Sequence, residues 1–168
     1  MIDDVRRLLV RELETFAREI ELFPDDEAVW RTAPGITNSA GNLALHACGN
    51  LKHYIGAVLG GTGYERNREA EFATRAGSRE ELAREIRWTR DVVLAVLPRV
   101  PAETLARTYP EPVGGFELPC GRFLLHLAVH LSFHLGQAGY LRRFVTGDAR
   151  SSGPVALAAL ADLSSASS

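Results

Sequence analysis

Apolar residues recur along this chain at helical rather than strand spacing. Val5, Leu8, Leu9, Leu13, Phe16 and Ile20 fall at that spacing with Arg and Glu between them, which predicts a first helix over about 3–22. Pro24-Asp25-Asp26 stops it, and a turn-rich stretch containing Pro34-Gly35 leads to Asn38 or Ser39, either able to cap a second helix. That helix carries Leu43, Ala47, Leu51, Tyr54, Ile55 and Val58 until Gly60-Gly61 ends it. Positions 60–77 read as a charged loop with one apolar anchor, Phe72. Ser78 followed by Glu81 is a capping-box signature for a third helix, striped by Leu82, Ile86, Val93 and Leu97 and closed by Pro98 and Pro101.

Pro110, Pro112 and Gly114-Gly115 make 99–118 a long connection with room for a short strand pair. The fourth helix runs from near Pro119 to Val145, with Gly147 as its terminator. It is apolar nearly all round, the mark of the most buried element. From Asp148 the chain turns Ser- and Ala-rich; a short helix is expected over 155–163 and disorder over the last five residues. The expectation is an all-α fold. One four-helix-bundle domain spans 1–147, with a long loop before its fourth helix and a flexible, partly disordered tail over 148–168.

Composition narrows the function. At 168 residues, 46% hydrophobic and 24% charged, the chain suits one soluble domain with a sizeable core. A net charge of −2 leaves no electrostatic footprint for nucleic acid or an anionic membrane. No apolar run approaches the ~20 residues that span a bilayer, and the N-terminus lacks a signal-peptide pattern. Cys48 and Cys120 form no CxxC pair and suit a reducing cytosol. A cytoplasmic protein acting on a small molecule is expected.

The chemistry concentrates in the fourth helix, where His126, His130 and His134 run into Gly136-Gln137. Residues four apart share a helix face with side chains about 5–6 Å apart, so two imidazoles can reach one metal at roughly 2.0–2.1 Å, the distance for zinc. A packed histidine is the bland alternative, but burying so many rings without partners would cost about 1–3 kcal/mol each. His126 is rotated roughly 80° from His134, which leaves His130 and His134 as the tighter pair, with Gln137 a turn on. On the second helix His46, Asn50 and His53 share a face, and either histidine could be a third ligand; spacing does not choose. Three neutral imidazoles leave a divalent ion its charge and an open position, as in catalytic sites. They suit Zn, Ni, Fe or Cu alike. Glu-x-x-His pairs, HExxH, CxxCH and a Gly-rich phosphate loop are absent. A Cys48 nucleophile is disfavoured, because it points about 200° from His46 on a helix.

Asn42-Leu-Ala-Leu-His46-Ala-Cys-Gly49-Asn50-Leu and His130-Leu-Ser-Phe-His134-Leu-Gly136-Gln137 together resemble the DinB-like superfamily of metal-binding four-helix proteins. Arg66-Asn-Arg68-Glu-Ala-Glu71-Phe72 and the Gly60-Gly61 turn resemble one branch of it, and the likeness extends over about residues 1–147. The resemblance implies a metal triad of His46, His130 and His134, without His53 or His126. Asn50 and Gln137 would orient the imidazoles or hold a metal-bound water. Phe133 stands where the family commonly carries a further histidine. Characterised relatives use a low-molecular-weight thiol, such as mycothiol or bacillithiol, for S-transfer or isomerisation, and homodimers are frequent. The resulting expectation is a metal-dependent (Zn, Ni or Fe) enzyme with a small thiol as co-substrate. Metal-assisted hydrolysis and a non-catalytic metal-binding stress protein are the alternatives. Arg66, Arg68 or Arg122 would bind an anionic substrate group, and Trp88 would sit in a two-fold interface on the first or third helix.

Overall fold

The computed structural model describes residues 1–153 and 156–160. Ile2–Glu21 forms α1, with Asp3 and Asp4 in its first turn, where carboxylates offset the helix dipole. Its stripe of Val5, Leu9, Leu13, Phe16 and Ile20 is buried, as the spacing predicts.

Ala40–Leu51 forms α2, and of the two possible caps Ser39 serves. Its hydroxyl accepts from the Asn42 backbone at 3.1 Å, while Asn42 Oδ1 accepts from the Ser39 backbone at 3.2 Å. The helix does not stop at Leu51 but widens into a π-helical stretch, Lys52–Leu59. The loop expected over 60–77 contains a short helix, α3, at Arg68–Ala73, capped by Asn67. Six residues with a single apolar anchor are too few to show a period. Asn42 Nδ2 fixes this helix to α2 by donating to the carbonyls of Glu71 at 3.0 Å and Thr74 at 2.8 Å.

Arg79–Val96 forms α4 with the Ser78–Glu81 box in place. Cys120–Thr146 forms α5, ended by Gly147 at a φ of +70°. The strand pair expected before α5 is reduced to two isolated antiparallel bridges, Thr108 with Pro119 and Val113 with Phe116. Of the helix expected over 155–163, Leu157–Leu160 forms a 3-10 turn; positions 155, 161–163 and the last five residues lie outside the described residues.

The four long helices are α1, α2 with its π extension, α4 and α5. α1 packs on α4 and α5, and α2 packs on the same two from the other side. The chain is an all-helical bundle of the expected kind, with α3 laid across α2. No helix among the described residues is long and apolar enough to cross a membrane. One expectation fails: α5 is not buried all round. Leu124, Leu127, Leu131 and Leu135 face the core, while Val129, Phe133, Tyr140 and Phe144 are exposed. Its neighbours cover only one side of it.

Candidate metal centre

One histidine comes from α2 and two from α5, one turn apart. His134 Nε2 lies 3.0 Å from His130 Nε2, and His46 Nε2 lies 3.4 Å from the same atom. One ligand atom from each of the three falls within 4.8 Å of the others, close enough to hold a metal ion. Tetrahedral ligands at 2.0–2.1 Å from zinc stand about 3.3–3.4 Å apart; the His46–His130 separation matches that spacing and the His130–His134 separation is a few tenths of an ångström shorter.

The outer nitrogens decide which inner ones are free. His46 Nδ1–H donates to Glu71 Oε2 at 2.9 Å, which leaves Nε2 with its lone pair. His134 Nδ1–H donates to Gln137 Oε1 at 2.8 Å, with the same result. Two unprotonated nitrogens therefore point at His130 Nε2. At most one can accept a proton from it, and a cation satisfies all three.

Glu71 is the residue that sequence reasoning missed. It is 6% exposed, and Arg66 grips it by Nε to Oε1 at 2.7 Å and Nη2 to Oε2 at 2.8 Å. Arg66, expected to meet a substrate anion, is thus engaged by a carboxylate of its own chain. Burial pushes the Glu71 carboxyl up, but hydrogen bonds from Arg66 and His46 outweigh it and hold the group below its ordinary pKa. Arg66 Nη2 also lies 3.2 Å from His46 Nδ1; the carboxylate is the nearer and stronger acceptor for the imidazole proton. Gly49 makes room for the contact, since a Cβ there would stand 2.0 Å from Glu71 Oε1. A carboxylate on a short, aperiodic helix leaves no mark in sequence spacing, and the room that Gly49 makes for it shows only in the fold.

The surroundings favour the neutral form of the two α5 histidines. Burial, then the neighbouring His134 and His46, bring the His130 pKa down to about 4. Burial also lowers His134, against the opposing hydrogen bond to Gln137. Phe72 covers one side of His46, its ring centre 4.7 Å away. Asn50, one turn after His46, is buried with an Oδ1 that has no hydrogen-bond partner among the described residues. Beside His134 and Gln137 opens a cavity of about 500 Å³, walled by Ile36, Leu43, Tyr140 and Phe144.

The other candidates lie elsewhere. His53 Nε2 is 2.8 Å from Glu111 Oε1, and its ring packs on Tyr54. His126 is exposed, its ring 6.0 Å from Phe123 and 5.9 Å from His130. Arg68 lies over Phe72 at 5.0 Å, and Arg122 is exposed.

The family model of the DinB superfamily matches residues 8–138. The chain belongs to the DinB superfamily. None of the curated proteins compared with it matches. The span matched to the DinB superfamily contains all three histidines of the cluster together with Asn50, Arg66, Glu71 and Gln137.

Proposed function

We propose that this chain holds one divalent ion (Zn, Ni or Fe) through His46, His130 and His134 and transfers a low-molecular-weight thiol to a small electrophile. The observation that carries the reading is the convergence of three Nε2 atoms whose rings are fixed from behind by Glu71 and Gln137. When bound, such an ion deprotonates a coordinating thiol at neutral pH. In the transfer, sulfur forms the new bond to carbon, the leaving group departs with its electron pair, and the thiol proton passes to solvent.

The chain's own residues supply position and exclusion. Glu71 and Gln137 hold two imidazoles in the tautomer that faces inward. Ile36, Leu43, Tyr140 and Phe144 give the cavity beside His134 apolar walls suited to an uncharged electrophile. No internal thiol competes, since burial raises both cysteines, Cys48 to about 12. Both are free, which suits the reducing cytosol where small thiols are abundant.

The test has two readouts. Metal analysis of untagged protein should find stoichiometric ion in wild type and its loss in His130→Ala with the helical spectrum retained. Metal-loaded protein is then assayed with mycothiol, bacillithiol and glutathione against a halide-bearing acceptor. Thiol conjugation by wild type and not by His130→Ala is the expected result. Equal rates for the two would end the transferase reading. Acceptor hydrolysis without thiol would replace it with a hydrolase, and stoichiometric metal with neither activity would leave a metal-binding protein.

A further inference from the structure

Ser132, Leu135, Gly136, Gly139 and Arg143 recur at helical intervals along α5, so they share one face of it. Arg143 lies nine residues beyond His134, about 180° round at 3.6 residues per turn, which turns this face away from the metal centre. The face borders a cavity of about 800 Å³ between α5 and α1, to which α1 contributes Arg11, Glu12 and Glu19. Gly136 and Gly139 leave bare backbone on the α5 side, and a Cβ added to Gly136 would meet nothing within 4 Å. Tyr140 and Phe144 also line the cavity, with most of their ring surface uncovered. Apolar walls around a few polar groups are the composition of a small-molecule site.

The charges in the wall do not cancel. Arg11 donates to Glu12 Oε1 through Nε at 3.0 Å and through Nη2, and both residues are buried. Glu19 pairs with Arg142, and Asp148 with Arg142 and Arg150. Arg143 is left over, since no carboxylate among the described residues pairs with it. Its one hydrogen bond among the described residues runs from Nη1 to the Gly139 carbonyl at 2.9 Å. The Nε–Nη2 edge stays free, and the two parallel N–H groups of that edge fit a carboxylate. The count of charges selects a monoanion. A phosphate dianion would bring a second negative charge toward Glu12 and Glu19, and an ammonium would meet Arg143 unopposed.

We propose that this cavity is a second small-molecule site, separate from the metal centre, and that it takes an amphipathic monocarboxylate. The carboxylate docks on the Nε–Nη2 edge of Arg143. The apolar body lies over Gly136 and Gly139, against Leu135, Tyr140 and Phe144. Tyr140 and Phe144 also wall the cavity beside His134, so an occupant here touches two rings that border the metal centre. No metal takes part in the binding, and the site does not depend on the proposed reaction.

Decanoate, decanol and decylamine carry the same apolar chain under three headgroups and test the charge argument directly. Titrated into the isotope-labelled full chain and followed by amide shifts, decanoate should show saturable one-to-one binding. The Gly136 and Gly139 amides should move, and the Gly49 amide on α2 should not. Decanol should bind at least about tenfold more weakly, the effect of losing hydrogen bonds to a charged group, and decylamine more weakly still. Arg143→Met should reduce decanoate to the affinity of decanol and leave decanol unchanged. Gly136→Leu should abolish binding of both by filling the cavity, with the helical spectrum retained because a Cβ there meets nothing. His130→Ala should bind decanoate as wild type does, which separates this site from coordination of a carboxylate by a metal ion. No saturable binding, a preference for decylamine, unchanged affinity in Arg143→Met or Gly136→Leu, or loss of binding in His130→Ala would each overturn the proposal.

Discussion

Glu71 stands between a guanidinium and an imidazole, with both oxygens committed, Oε1 to Arg66 and Oε2 to Arg66 and His46. A carboxylate there holds the His46 proton on Nδ1 and enriches the ring's other nitrogen as a donor. Glu71→Gln keeps the shape and removes the charge. It should weaken metal binding by about 10–100-fold, the usual cost of losing such a partner, while circular dichroism shows an intact bundle. Unchanged affinity by competitive chelator titration would mean that the carboxylate only packs. His130 carries a pH consequence. Above its ordinary value of 6.5 the folded and unfolded chains both hold it neutral, so pH has no effect through this group. Between there and about 4 the unfolded chain takes up a proton that the buried ring refuses, and the metal-free protein loses stability as pH falls. Melting temperatures of the metal-free protein from pH 7 down to 5 should fall less steeply in His130→Gln than in wild type. Equal slopes would place the acid limit on other groups.

At the scale of the element, α2 is shaped by what it lacks. Gly49 faces Glu71 and Gly41 faces the Trp30 ring, where an added Cβ would stand 2.6 Å away. In an exposed helix Gly→Ala gains roughly 0.5–1 kcal/mol. Gly49→Ala should instead destabilise this protein and weaken metal binding, because the new methyl displaces the carboxylate that orients His46. A gain in melting temperature with metal affinity intact would refute that account. The same helix shows where sequence reading stops. The amphipathic stripes of α1 and α4, the Ser78–Glu81 box and the Gly147 stop follow from local rules and are found in place. His130 and His134 follow from spacing alone. The choice of His46 over His53 does not, since on an ideal α-helix the two share a face. From Lys52 the helix has the wider π turn, which breaks that register; His53 faces Glu111 instead. Nothing in the residues of 52–59 announces that turn, and α3 was too short to show a period. Glu71 was illegible because its role comes from a tertiary contact.

At the scale of the whole molecule, one buried cation ties α1 to α5 in addition to their apolar packing. Arg142 is fully buried and donates through Nε to Glu19 on α1, through Nη1 to the Asp148 carbonyl at 3.1 Å and through Nη2 to the Arg150 carbonyl. A single side chain thus joins the first helix, the last helix and the strand of chain that follows Gly147. Arg18 adds a second tie from α1, donating to the Ser152 carbonyl at 3.0 Å. Glu19 is itself 1% exposed, so removing its partner strands a charge without water. Arg142→Met, which keeps much of the apolar stem, should therefore cost about 3–5 kcal/mol, the range for breaking a buried pair. Arg142→Met combined with Glu19→Gln should recover part of that loss, because the amide needs no counter-charge. The site gives the second reading. α5 carries two of the three histidines and is positioned by α1 on one side and α2 on the other, so loosening the α1 contact should lower metal affinity in the single variant before the bundle unfolds. Urea denaturation and chelator competition on the same samples measure both effects. If Arg142→Met costs less than about 1 kcal/mol, the pair is no more valuable than an exposed one, and the packing of apolar side chains alone fixes where α5 holds its histidines.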